Sequence, residues 1–559
     1  MKITLGIHIG HDRGACIIRN GKVIAAISNE RLDRIKYSQS LDIPYDSIDS
    51  LLKYCKLTFN DISAIGLSAV AIEGMNIYDL YQKEIFEHYH CEYKPFYLVH
   101  HHEAHAYSTY FSSGFDKSLV FVFDGGGDFW GSKQESETIY VANNGSIALI
   151  DRRLQNIAVR HMKDNINHVY QFMPEYVKNL EMSLARKYSQ ITHLLGFGFG
   201  QEGKTMGLAS YGKPMIDFSS INYTNLNFSL TYKDLLKDFY VMQQVSNKSF
   251  KDFIYQEREN IASTVQNYIE NAVISIIKNY VNRYSVNKVC LAGGLFLNCL
   301  TNHKIIEKCN LEDLFILPSS GDDGQALGSA YYAYTREFGN LEKFEIKLPY
   351  IGLSYDNAQI EKAISDKNLL FNSYSDEELK IVVAKYIYNN KIVAFHRGRT
   401  EIGPRALCHR SILANPTNPN MKDILNNRVK HREPFRPFAP TVADEDKYEY
   451  FDLKCSSEYM LLATTVKEKY IKSLSAITHV DNTARIQSVE KDKEPFLHGL
   501  LMEMKKLTGF SVVLNTSFNV AGEPIVETPL DALNTFLSTD IDILVIENYV
   551  INKETMLKK

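Results

Sequence analysis

The amino-acid sequence predicts an α/β protein with more than one domain. Short apolar segments that end at glycine-rich turns alternate with longer segments of helical spacing. Residues 118–123 run into a turn at 124–127, and residues 289–292 run into the glycine pair 293–294, whereas 255–285 carries apolar residues at helical intervals. A chain of 559 residues is too long for a single hydrophobic core, so we expect two to four domains.

The N-terminus begins with the strand order of the actin-like ATPase and sugar-kinase (ASKHA) fold. Residues 3–9 alternate in polarity, a polar turn follows at 10–14, and Asn20-Gly21 between two apolar segments predicts a type I′ hairpin. Each half-domain of that fold has the order βββαβα, and a later Asp-Gly-Gly turn faces its ligand cleft. Asp124 would begin that turn. We therefore predict an N-terminal actin-like ATPase domain with a duplicated βββαβα order.

Two histidines four residues apart, His101 and His105, give the strongest chemical signal. On a helix, residues i and i+4 lie on one face, so the two imidazoles would form half of a metal site. Asp124, at a strand end beside glycines, would supply a third ligand, and Asp322 would supply a fourth. The structural alternatives are a surface helix with several histidines and a helix N-cap at Asp322 or Asp323.

The histidine spacing excludes a zinc peptidase. The signature of that class is His-Glu-x-x-His, but here Glu103 follows His102 and the next histidine is His105. Histidines combined with carboxylates suit iron or manganese as well as zinc.

The glycine-rich segment 194–212 matches the Walker A sequence pattern but not the structural context of a Walker A loop. Residues 198–205 match the spacing GxxxxGK[ST], but no strand is predicted before them. We therefore predict a substrate or phosphate loop that contains Glu202 and Lys204. The glycine pair 293–294, followed by Asn298, would present backbone N–H groups to an anion or a nucleotide.

The amino-acid composition of the chain changes near residues 340–372, and the chain then becomes rich in arginine. Residues 397–410 contain four arginines in fourteen positions, together with glycine and proline, and two more arginines follow in 430–440. Because these residues cannot share one solvated helix face, we expect their guanidinium groups to converge on phosphate or carboxylate. A structural ion-pair network is the alternative. Residues 511–527 combine a strand with a polar turn, which is typical of a ligand rim.

Composition and charge favour a soluble globular enzyme. The chain is 45% hydrophobic and 23% charged, and its formal charge of -4 gives no sign of a nucleic-acid tail or a polybasic membrane patch. Eight cysteines form no CxxC pair, the N-terminus is a strand, and no apolar segment has the length of a bilayer span. We expect a cytoplasmic monomer or homodimer with reduced thiols that binds neither nucleic acid nor membrane.

Taken together, the motifs resemble the NodU/CmcH (TobZ-like) O-carbamoyltransferase family over essentially the whole chain. That family includes the nodulation-factor, cephamycin and aminoglycoside carbamoyltransferases. The matching segments follow the family's order: 6–12, 101–106, 124–128, 202–209, 291–294, 321–324, 401–407, 432–440, 479–485 and 515–519.

The resemblance implies two catalytic domains with different tasks. It implies an actin-like domain at 1–350, a linker at 351–371 and a YrdC-like α/β domain at 372–559. In the family, the C-terminal domain makes carbamoyl adenylate from carbamoyl phosphate and ATP, with Mg²⁺ accompanying the nucleotide. The N-terminal domain then transfers the carbamoyl group to a hydroxyl of a small-molecule acceptor, such as an antibiotic, another natural product or a sugar.

The resemblance also implies site residues. Fe²⁺, with Mn²⁺ or Zn²⁺ as alternatives, is expected at the positions that match His101, His105, Asp124 and Asp322. We expect Asp12, with His11 or His8 as the alternatives, to help deprotonate the acceptor hydroxyl, and Lys204 to be a further catalytic residue. The residues expected to bind nucleotide or carbamoyl adenylate are Glu202, Gly293, Gly294, Asn298, Arg399, Arg405, Arg410, Lys430, Arg432, Arg436, His479, Arg485, Asn515, Ser517 and Asn519.

The sequence departs from the family pattern at several positions. Cys408 and Asn482 stand where glycine is common in the family. Asn tolerates a positive φ, so Asn482 is easily accommodated, whereas for Cys408 we expect a backbone outside the left-handed region. The segment 11–14 also differs from the usual His-Asp-Ala-Ser, which affects the acceptor side of the cleft.

Two alternatives stay open after this comparison. One is a fused tRNA-threonylcarbamoyladenosine enzyme, which the absence of a basic stripe disfavours. The other is a sugar kinase or nucleotide-binding sensor on the actin-like fold, which the arginine-rich C-terminal half disfavours. Hydrogenase-maturation carbamoyltransferases share both modules, but they carry an acylphosphatase domain and CxxC zinc fingers that are absent here.

Overall fold

The computed structural model describes residues 1–70, 77–156, 180–231, 233–339 and 349–556. These residues form two compact units. The N-terminal unit consists of residues 2–9 and 62–339, and the C-terminal unit consists of residues 1, 10–61 and 349–556. Residues 340–348, where the predicted change of character begins, lie outside the described residues, as do 557–559 at the end of the predicted C-terminal domain.

The N-terminal unit is an α/β structure, as predicted. Its strands are Ile3–His8, Ala64–Ser68, Phe96–Val99, Lys117–Phe123, Phe129–Trp130, Lys133–Asn143, Ser146–Asn156, Lys288–Ala292 and Asp313–Ile316. Its helices are Ile77–His88, His101–Ser113, Leu184–Leu194, Glu202–Ala209, Leu236–Ser246, Phe250–Gln256, Arg258–Tyr284, Cys299–Lys308 and Gln325–Phe338, with short 3₁₀ turns at Gly294–Leu297 and Asp322–Gly324.

The predicted duplicated βββαβα order is present with additional elements. Apart from 3₁₀ turns, the described chain has three strands, two helices, a strand, a helix and a strand between residues 3 and 99. Between residues 117 and 316, four described strands are followed by five described helices, a strand, a helix and a strand. In the second copy, the central strand Lys117–Phe123 pairs antiparallel with Lys133–Asn143 and parallel with Lys288–Ala292. The strand Asp313–Ile316 continues the parallel side. The carboxyl ends of these three parallel strands therefore lie at one edge of the sheet.

Small residues let the helix Gln325–Phe338 pack directly on its neighbours in the N-terminal unit. A Cβ atom at Gly328 would lie 1.8 Å from the carbonyl oxygen of Ala104. Cβ atoms at Gly6 and Gly66 would lie 2.0 Å and 2.1 Å from carbonyl oxygens of the same helix. Since each contact is with backbone, none of these three positions accepts a side chain without a shift of the helix.

The C-terminal unit is also α/β. Its strands are Gly14–Arg19, Lys22–Ser28, Asn372–Ser373, Val393–His396, Arg410–Ala414, Ala439–Ala443, Leu462–Thr465, Thr483–Val489, Val512–Ser517, Ile543–Ile546 and Tyr549–Asn552. Its helices are Glu30–Asp33, Tyr45–Tyr54, Asn357–Asp366, Asp376–Tyr388, Met421–Leu425, Asn426–Lys430, Lys447–Tyr450, Pro495–Thr508 and Pro529–Leu537, with 3₁₀ turns at Phe59–Asp61, Asp444–Asp446 and Glu468–Tyr470.

A mixed sheet of nine described strands lies at the centre of this unit. Successive residues alternate between its two faces, as the strand period of two requires. Val393 and Phe395 pack with the helices Asp376–Tyr388 and Pro495–Thr508 on one face, whereas Ala394 packs on the other. The sheet is therefore covered by helices on both faces. That the unit is YrdC-like stays a prediction.

The predicted N-terminal hairpin is confirmed. Gly14–Arg19 and Lys22–Ser28 pair antiparallel, and Asn20 and Gly21 both have positive φ, at 50° and 81°. These two angles are the ones that a type I′ turn requires.

Residues 10–61 lie in the same compact unit as residues 349–556, and the predicted domain boundaries at 350 and 372 stay a prediction. The guanidinium of Arg34 donates to the carbonyls of Ile525 at 2.7 Å and Pro524 at 2.9 Å, and Arg31 donates to the carbonyl of Gly403 at 3.1 Å. In return, Arg399 donates to the carbonyl of Ile24 at 2.7 Å. Hydrogen bonds between positions several hundred residues apart leave no local signal in a sequence.

No helix in the described part of the chain combines the length and the apolar character that crossing a lipid bilayer requires.

The packing at Gly328 gives a stability prediction. We expect Gly328→Ala to lower the thermal midpoint by several degrees, because the new methyl group must displace the Ala104 carbonyl, at a cost of about 1–3 kcal/mol or more. Gly203→Ala is the matched helical control, since its Cβ would have no neighbour within 4 Å, and we expect it to leave the midpoint unchanged or slightly raised. Equal midpoints for Gly328→Ala and wild type, measured by circular dichroism, would contradict this account.

Candidate metal centre and anion site

The four predicted metal ligands come together in the N-terminal unit. His101 and His105 lie one turn apart on the helix His101–Ser113, which the spacing predicted. Asp124 follows the strand Lys117–Phe123, and Asp322 follows the strand Asp313–Ile316. One ligand atom from each residue lies within 4.8 Å of the others, and all four residues are buried. The side of the helix that carries His101 and His105 is therefore buried, unlike that of a solvent-exposed surface helix.

Ligand-to-ligand contacts define the geometry of this centre. The Nε2 atoms of His101 and His105 lie 3.3 Å and 3.1 Å from Asp322 Oδ1. His101 Nε2 also lies 3.6 Å from Asp124 Oδ2. His8, at the end of the first strand, brings its Nε2 to 4.0 Å from Asp322 Oδ2. Asp322 is not the N-cap of the following helix, which has Gly324 at that position.

Surrounding groups hold the ligands in place. Asp124 Oδ1 accepts a 2.8 Å hydrogen bond from the N–H of Gly294. Asp128 accepts from the N–H of His101 at 3.1 Å and contacts His100 Nδ1 at 2.7 Å. Outer contacts of this kind orient metal ligands in proteins. The predicted glycine pair thus presents one N–H group to a ligand carboxylate.

Gly293 is required by the backbone at this turn. Its φ is +96°, and a Cβ atom there would lie 2.3 Å from the carbonyl oxygen of Phe123. The Gly293 N–H donates to the carbonyl of Ser320 at 2.7 Å, which ties the turn to the segment that carries Asp322.

The chemistry of the centre fits a divalent cation. Two buried carboxylates of like charge stand together, which is costly unless a positive charge lies between them. Burial lowers the pKa of His101, but the charges of Asp322 and Asp124 outweigh it and raise that pKa to about 10. For Asp124, the contacts with His101 and His105 outweigh burial and the Asp322 charge, and lower the pKa. Imidazole and carboxylate donors together suit iron, manganese or zinc.

The two residues predicted to act as the general base, His11 and Asp12, lie in the C-terminal unit. His11 Nδ1 is 2.9 Å from Asp12 Oδ2, and both side chains are partly exposed. Asp12 has a φ of +57°, and its N–H donates to the carbonyl of Tyr37 at 2.6 Å. A non-glycine residue in this region is uncommon, and strain of this type is enriched at functional sites.

A cluster of cations around the buried Lys430 lies in the same unit. Lys430 is buried, and its ammonium donates to the carbonyls of Ser517 at 2.5 Å and Asn519 at 3.0 Å and to Asn519 Oδ1 at 3.0 Å. Burial, followed by the charges of Arg432, Arg436 and Lys36, holds the pKa of Lys430 well below its ordinary value. Lys430, Ser517 and Asn519, all predicted site residues, are thus brought together.

The arginines of this cluster repel one another. Burial lowers the pKa of Arg432 to about 9, with further contributions from Arg436 and Arg485. Burial also lowers the pKa of Arg436, although Glu433 opposes it from 3.8 Å. His479 contacts the carbonyl of Phe435 at 3.1 Å and so helps to hold the arginine-bearing turn. Buried cations that share one neighbourhood provide a site for a polyanion.

Other predicted nucleotide-binding residues contact the protein itself. Arg399 donates to the carbonyls of Gly352, Ile24 and Ile351, and the fully buried Arg410 donates to those of Glu527, Arg397, Gly398 and His409. Asn515 is buried, and its amide donates to Ala406, Cys408, Thr441 and Gln487. These contacts hold loops in place; a role of the three residues in nucleotide binding stays a prediction.

The remaining predicted residues occupy helices, a strand and turns. Asn298 caps the helix Cys299–Lys308 by accepting from the N–H of Thr301 at 3.1 Å. Glu202 accepts from the hydroxyl of Ser189 at 2.6 Å, and the Lys204 ammonium lies 5.6 Å from the centre of the Phe197 ring. These two residues begin a helix that follows another helix, Leu184–Leu194, which agrees with the rejection of a Walker loop. Arg405 is partly buried in a turn, and Arg485 lies on the strand Thr483–Val489.

The expectation for the backbone of Cys408 is wrong. Cys408 has a φ of +78°, in the left-handed region, as does Asn482 at +64°. Cys408 is fully buried, and its sulfur lies 3.1 Å from Asn515 Nδ2 and 3.3 Å from Thr441 Oγ1. The polar network around the side chain therefore offsets the cost of a conformation that glycine would adopt freely.

Sequence reasoning missed two residues at these sites. Gln325 contacts three of the four metal ligands, and its position three residues after Asp322, at the start of a helix, was a usable signal. Lys36 adds its charge to the cation cluster from a distant part of the chain, which no local pattern indicates.

Comparison with known proteins identifies the family. The model described as "Carbamoyltransferase N-terminus" matches residues 68–331, and that described as "Carbamoyltransferase C-terminus" matches residues 384–553. Nodulation protein NolO of Bradyrhizobium diazoefficiens is 31% identical over 81% of this chain and 79% of its own. This chain belongs to the carbamoyltransferase family.

Further relatives support this assignment. Protein MJ1051 of Methanocaldococcus jannaschii is 31% identical over 99% of this carbamoyltransferase and all of its own length. The 3'-hydroxymethylcephem-O-carbamoyltransferase of Amycolatopsis lactamdurans is 34% identical over 43% of this chain and 44% of its own. The family implies a carbamoyl donor and an acceptor as substrates.

The metal centre gives a testable prediction. We expect His105→Ala and Asp322→Asn to reduce the metal content of the purified carbamoyltransferase from about one equivalent to near zero, because each removes a donor from a four-donor set. The measurement is inductively coupled plasma mass spectrometry after loading with Fe²⁺, Mn²⁺ or Zn²⁺. His303→Ala is the control, since His303 lies 3.4 Å from Glu307 and neither residue belongs to the predicted ligand set. Full metal content in His105→Ala would exclude this centre.

The cation cluster gives a second prediction. We expect pyrophosphate or ATP to raise the thermal midpoint of the wild type, because a polyanion relieves repulsion among buried cations. Lys430→Met should remove most of this rise. Lys472→Met, which changes an exposed lysine, should keep it. Equal rises in both variants would show that the anion binds elsewhere.

Proposed function

We propose that this chain is an ATP-dependent O-carbamoyltransferase with two half-reactions. In the first, carbamoyl phosphate loses phosphate to water, and the resulting carbamate oxygen attacks the α-phosphorus of ATP. Carbamoyl adenylate forms and pyrophosphate leaves. In the second, an acceptor hydroxyl oxygen attacks the carbamoyl carbon, AMP leaves, and the hydroxyl proton passes to a base. The acceptor is a hydroxylated small molecule.

The observation that carries this proposal is the cation cluster, in which Lys430 is buried and Arg432 and Arg436 are partly exposed, in a chain of this family. Burial lowers the pKa of Lys430, Arg432 and Arg436, and the charges of neighbouring cations lower it further for Lys430 and Arg432, so these groups gain stability when a polyanion enters. Both substrates of the first half-reaction are polyanions, and pyrophosphate carries further negative charge as it departs. Fixed positive charge at a phosphoryl-transfer site stabilises the transition state, which is usually the largest catalytic contribution.

The metal centre supports the second half-reaction. His101, His105, Asp124 and Asp322 would hold the metal, and iron, manganese and zinc all match the donors. When bound, such a metal supplies Lewis acidity to a phosphoryl or carbonyl oxygen. The protein residues contribute burial, which excludes water from a mixed anhydride, carbamoyl adenylate, that hydrolysis would destroy.

The His11–Asp12 pair is our candidate for accepting the hydroxyl proton. A carboxylate on one imidazole nitrogen fixes the tautomer, so the other nitrogen can accept a proton. The geometry therefore favours His11 as the base and Asp12 as the residue that orients it, in place of our first expectation that Asp12 is the base. Oxygen as the attacking atom is supported by the name of the cephem relative, which specifies O-carbamoyl transfer.

The two half-reactions should separate by mutation. We expect the wild type to release pyrophosphate from ATP only when carbamoyl phosphate is present. Lys430→Met should reduce that release by about 10²–10³-fold, whereas His105→Ala should keep it and lose transfer to the acceptor. Pyrophosphate is measured by a coupled phosphatase assay, and transfer by mass spectrometry of a panel of hydroxylated small molecules.

A metal-loaded wild type that releases no pyrophosphate under these conditions would overturn the proposal. Loss of pyrophosphate release in His105→Ala would overturn the assignment of the metal centre to the second half-reaction alone. Lys472→Met serves again as the matched control, because an exposed lysine outside the cluster should leave both rates unchanged.

A further inference from the structure

Gln325 is a buried polar residue inside the candidate metal centre that has no assigned role. It is the first residue of the helix Gln325–Phe338 and is fully buried. Its Nε2 lies 2.8 Å from His101 Nε2, 3.2 Å from His105 Nε2 and 3.1 Å from Asp322 Oδ1. The amide head is therefore in contact with three of the four ligand atoms at once.

The oxygen atom of the same amide differs from the nitrogen atom in its contacts. Gln325 Oε1 is buried and has no hydrogen-bond partner in the part of the chain that the structure describes. A carbonyl oxygen is the stronger ligand of the two amide atoms, because its lone pairs are available, whereas the NH₂ group only donates. A half-turn about the Cγ–Cδ bond exchanges the two atoms with little movement elsewhere. It would bring Oε1 to the position that faces the ligands.

The distances at that position are those of a coordinating atom. Donors that each lie about 2.1 Å from one metal ion are separated from adjacent donors by roughly 3.0–3.4 Å, from octahedral to tetrahedral geometry. The separations of the amide head from His105 and Asp322, 3.2 and 3.1 Å, fall in this range, and its separation from His101 Nε2, 2.8 Å, is slightly shorter. The separations of Asp322 Oδ1 from the two histidines, 3.3 and 3.1 Å, fall in the same range.

We propose that Gln325 is a fifth protein ligand of the metal centre and binds through Oε1. The inference rests on the proposed metal function of this site. A neutral oxygen adds a donor without adding charge, so the centre keeps two carboxylates and gains a ligand that suits iron or manganese more than four-coordinate zinc. The close packing of the helix that begins at Gln325 fixes the position of this ligand.

Substitutions of Gln325 test the proposal by metal binding rather than by activity. Gln325→Leu keeps the volume and removes the donor, Gln325→Asn keeps the amide but shortens its reach, and Gln325→Glu supplies a different oxygen donor. Gln243→Leu is the matched control, because Gln243 is another buried glutamine of the N-terminal unit that donates to a backbone carbonyl. Affinity is measured by competition with a chromophoric chelator, using Fe²⁺ and Mn²⁺ alone as probes.

We expect Gln325→Leu and Gln325→Asn to weaken Fe²⁺ and Mn²⁺ binding by roughly 10–100-fold, and Gln325→Glu and Gln243→Leu to keep tight binding. The absorption spectrum of the Co²⁺-loaded protein should also change in Gln325→Leu, because it reports coordination number. Folded Gln325→Leu with wild-type affinity and an unchanged Co²⁺ spectrum would overturn the proposal. A wild type that binds no metal would instead overturn the metal function itself.

Discussion

The candidate metal centre depends on the direct contact between the helix Gln325–Phe338 and its backbone neighbours. Gly6, Gly66 and Gly328 leave no space in which this helix could slide. Its first residue is Gln325, and Asp322 lies one turn earlier, so the packing fixes both residues relative to His101 and His105. Protein interiors are packed too densely to deform gradually, so ligand positions here are set by van der Waals contact far from the donor atoms.

Both candidate sites bury groups of like charge, and each does so in a different way. At the metal centre, two carboxylates are held against two imidazoles, and the charges of Asp322 and Asp124 raise the pKa of His101. At the cation cluster, backbone carbonyls and an amide oxygen accept from Lys430, which solvates the ammonium without neutralising it. The repulsion that remains is stored free energy, and an incoming ion of opposite charge releases it on binding.

Sequence patterns predicted the elements and the ligands that depend on local spacing. The hairpin at Asn20-Gly21, the helix that carries His101 and His105, and the strand end at Asp124 follow from turn chemistry and periodicity. Asp322 was predicted as a ligand from the family resemblance and from its position after a strand. Patterns did not predict that residues 10–61 belong to the C-terminal unit, because Arg31 and Arg34 contact carbonyls several hundred residues away. They also gave no indication that Arg399 and Arg410 contact carbonyls or that Cys408 has a positive φ, since both depend on tertiary contacts.

The discontinuity of the C-terminal unit has a consequence for how the chain is made. Residues 10–61 leave the ribosome before the N-terminal unit, yet their partners between 349 and 556 leave after it. At roughly 5–20 residues per second, the early segment waits on the order of tens of seconds for the carbonyls that Arg31 and Arg34 contact. A fragment that begins at residue 351 would therefore lack residues 10–61 of the unit it is meant to represent.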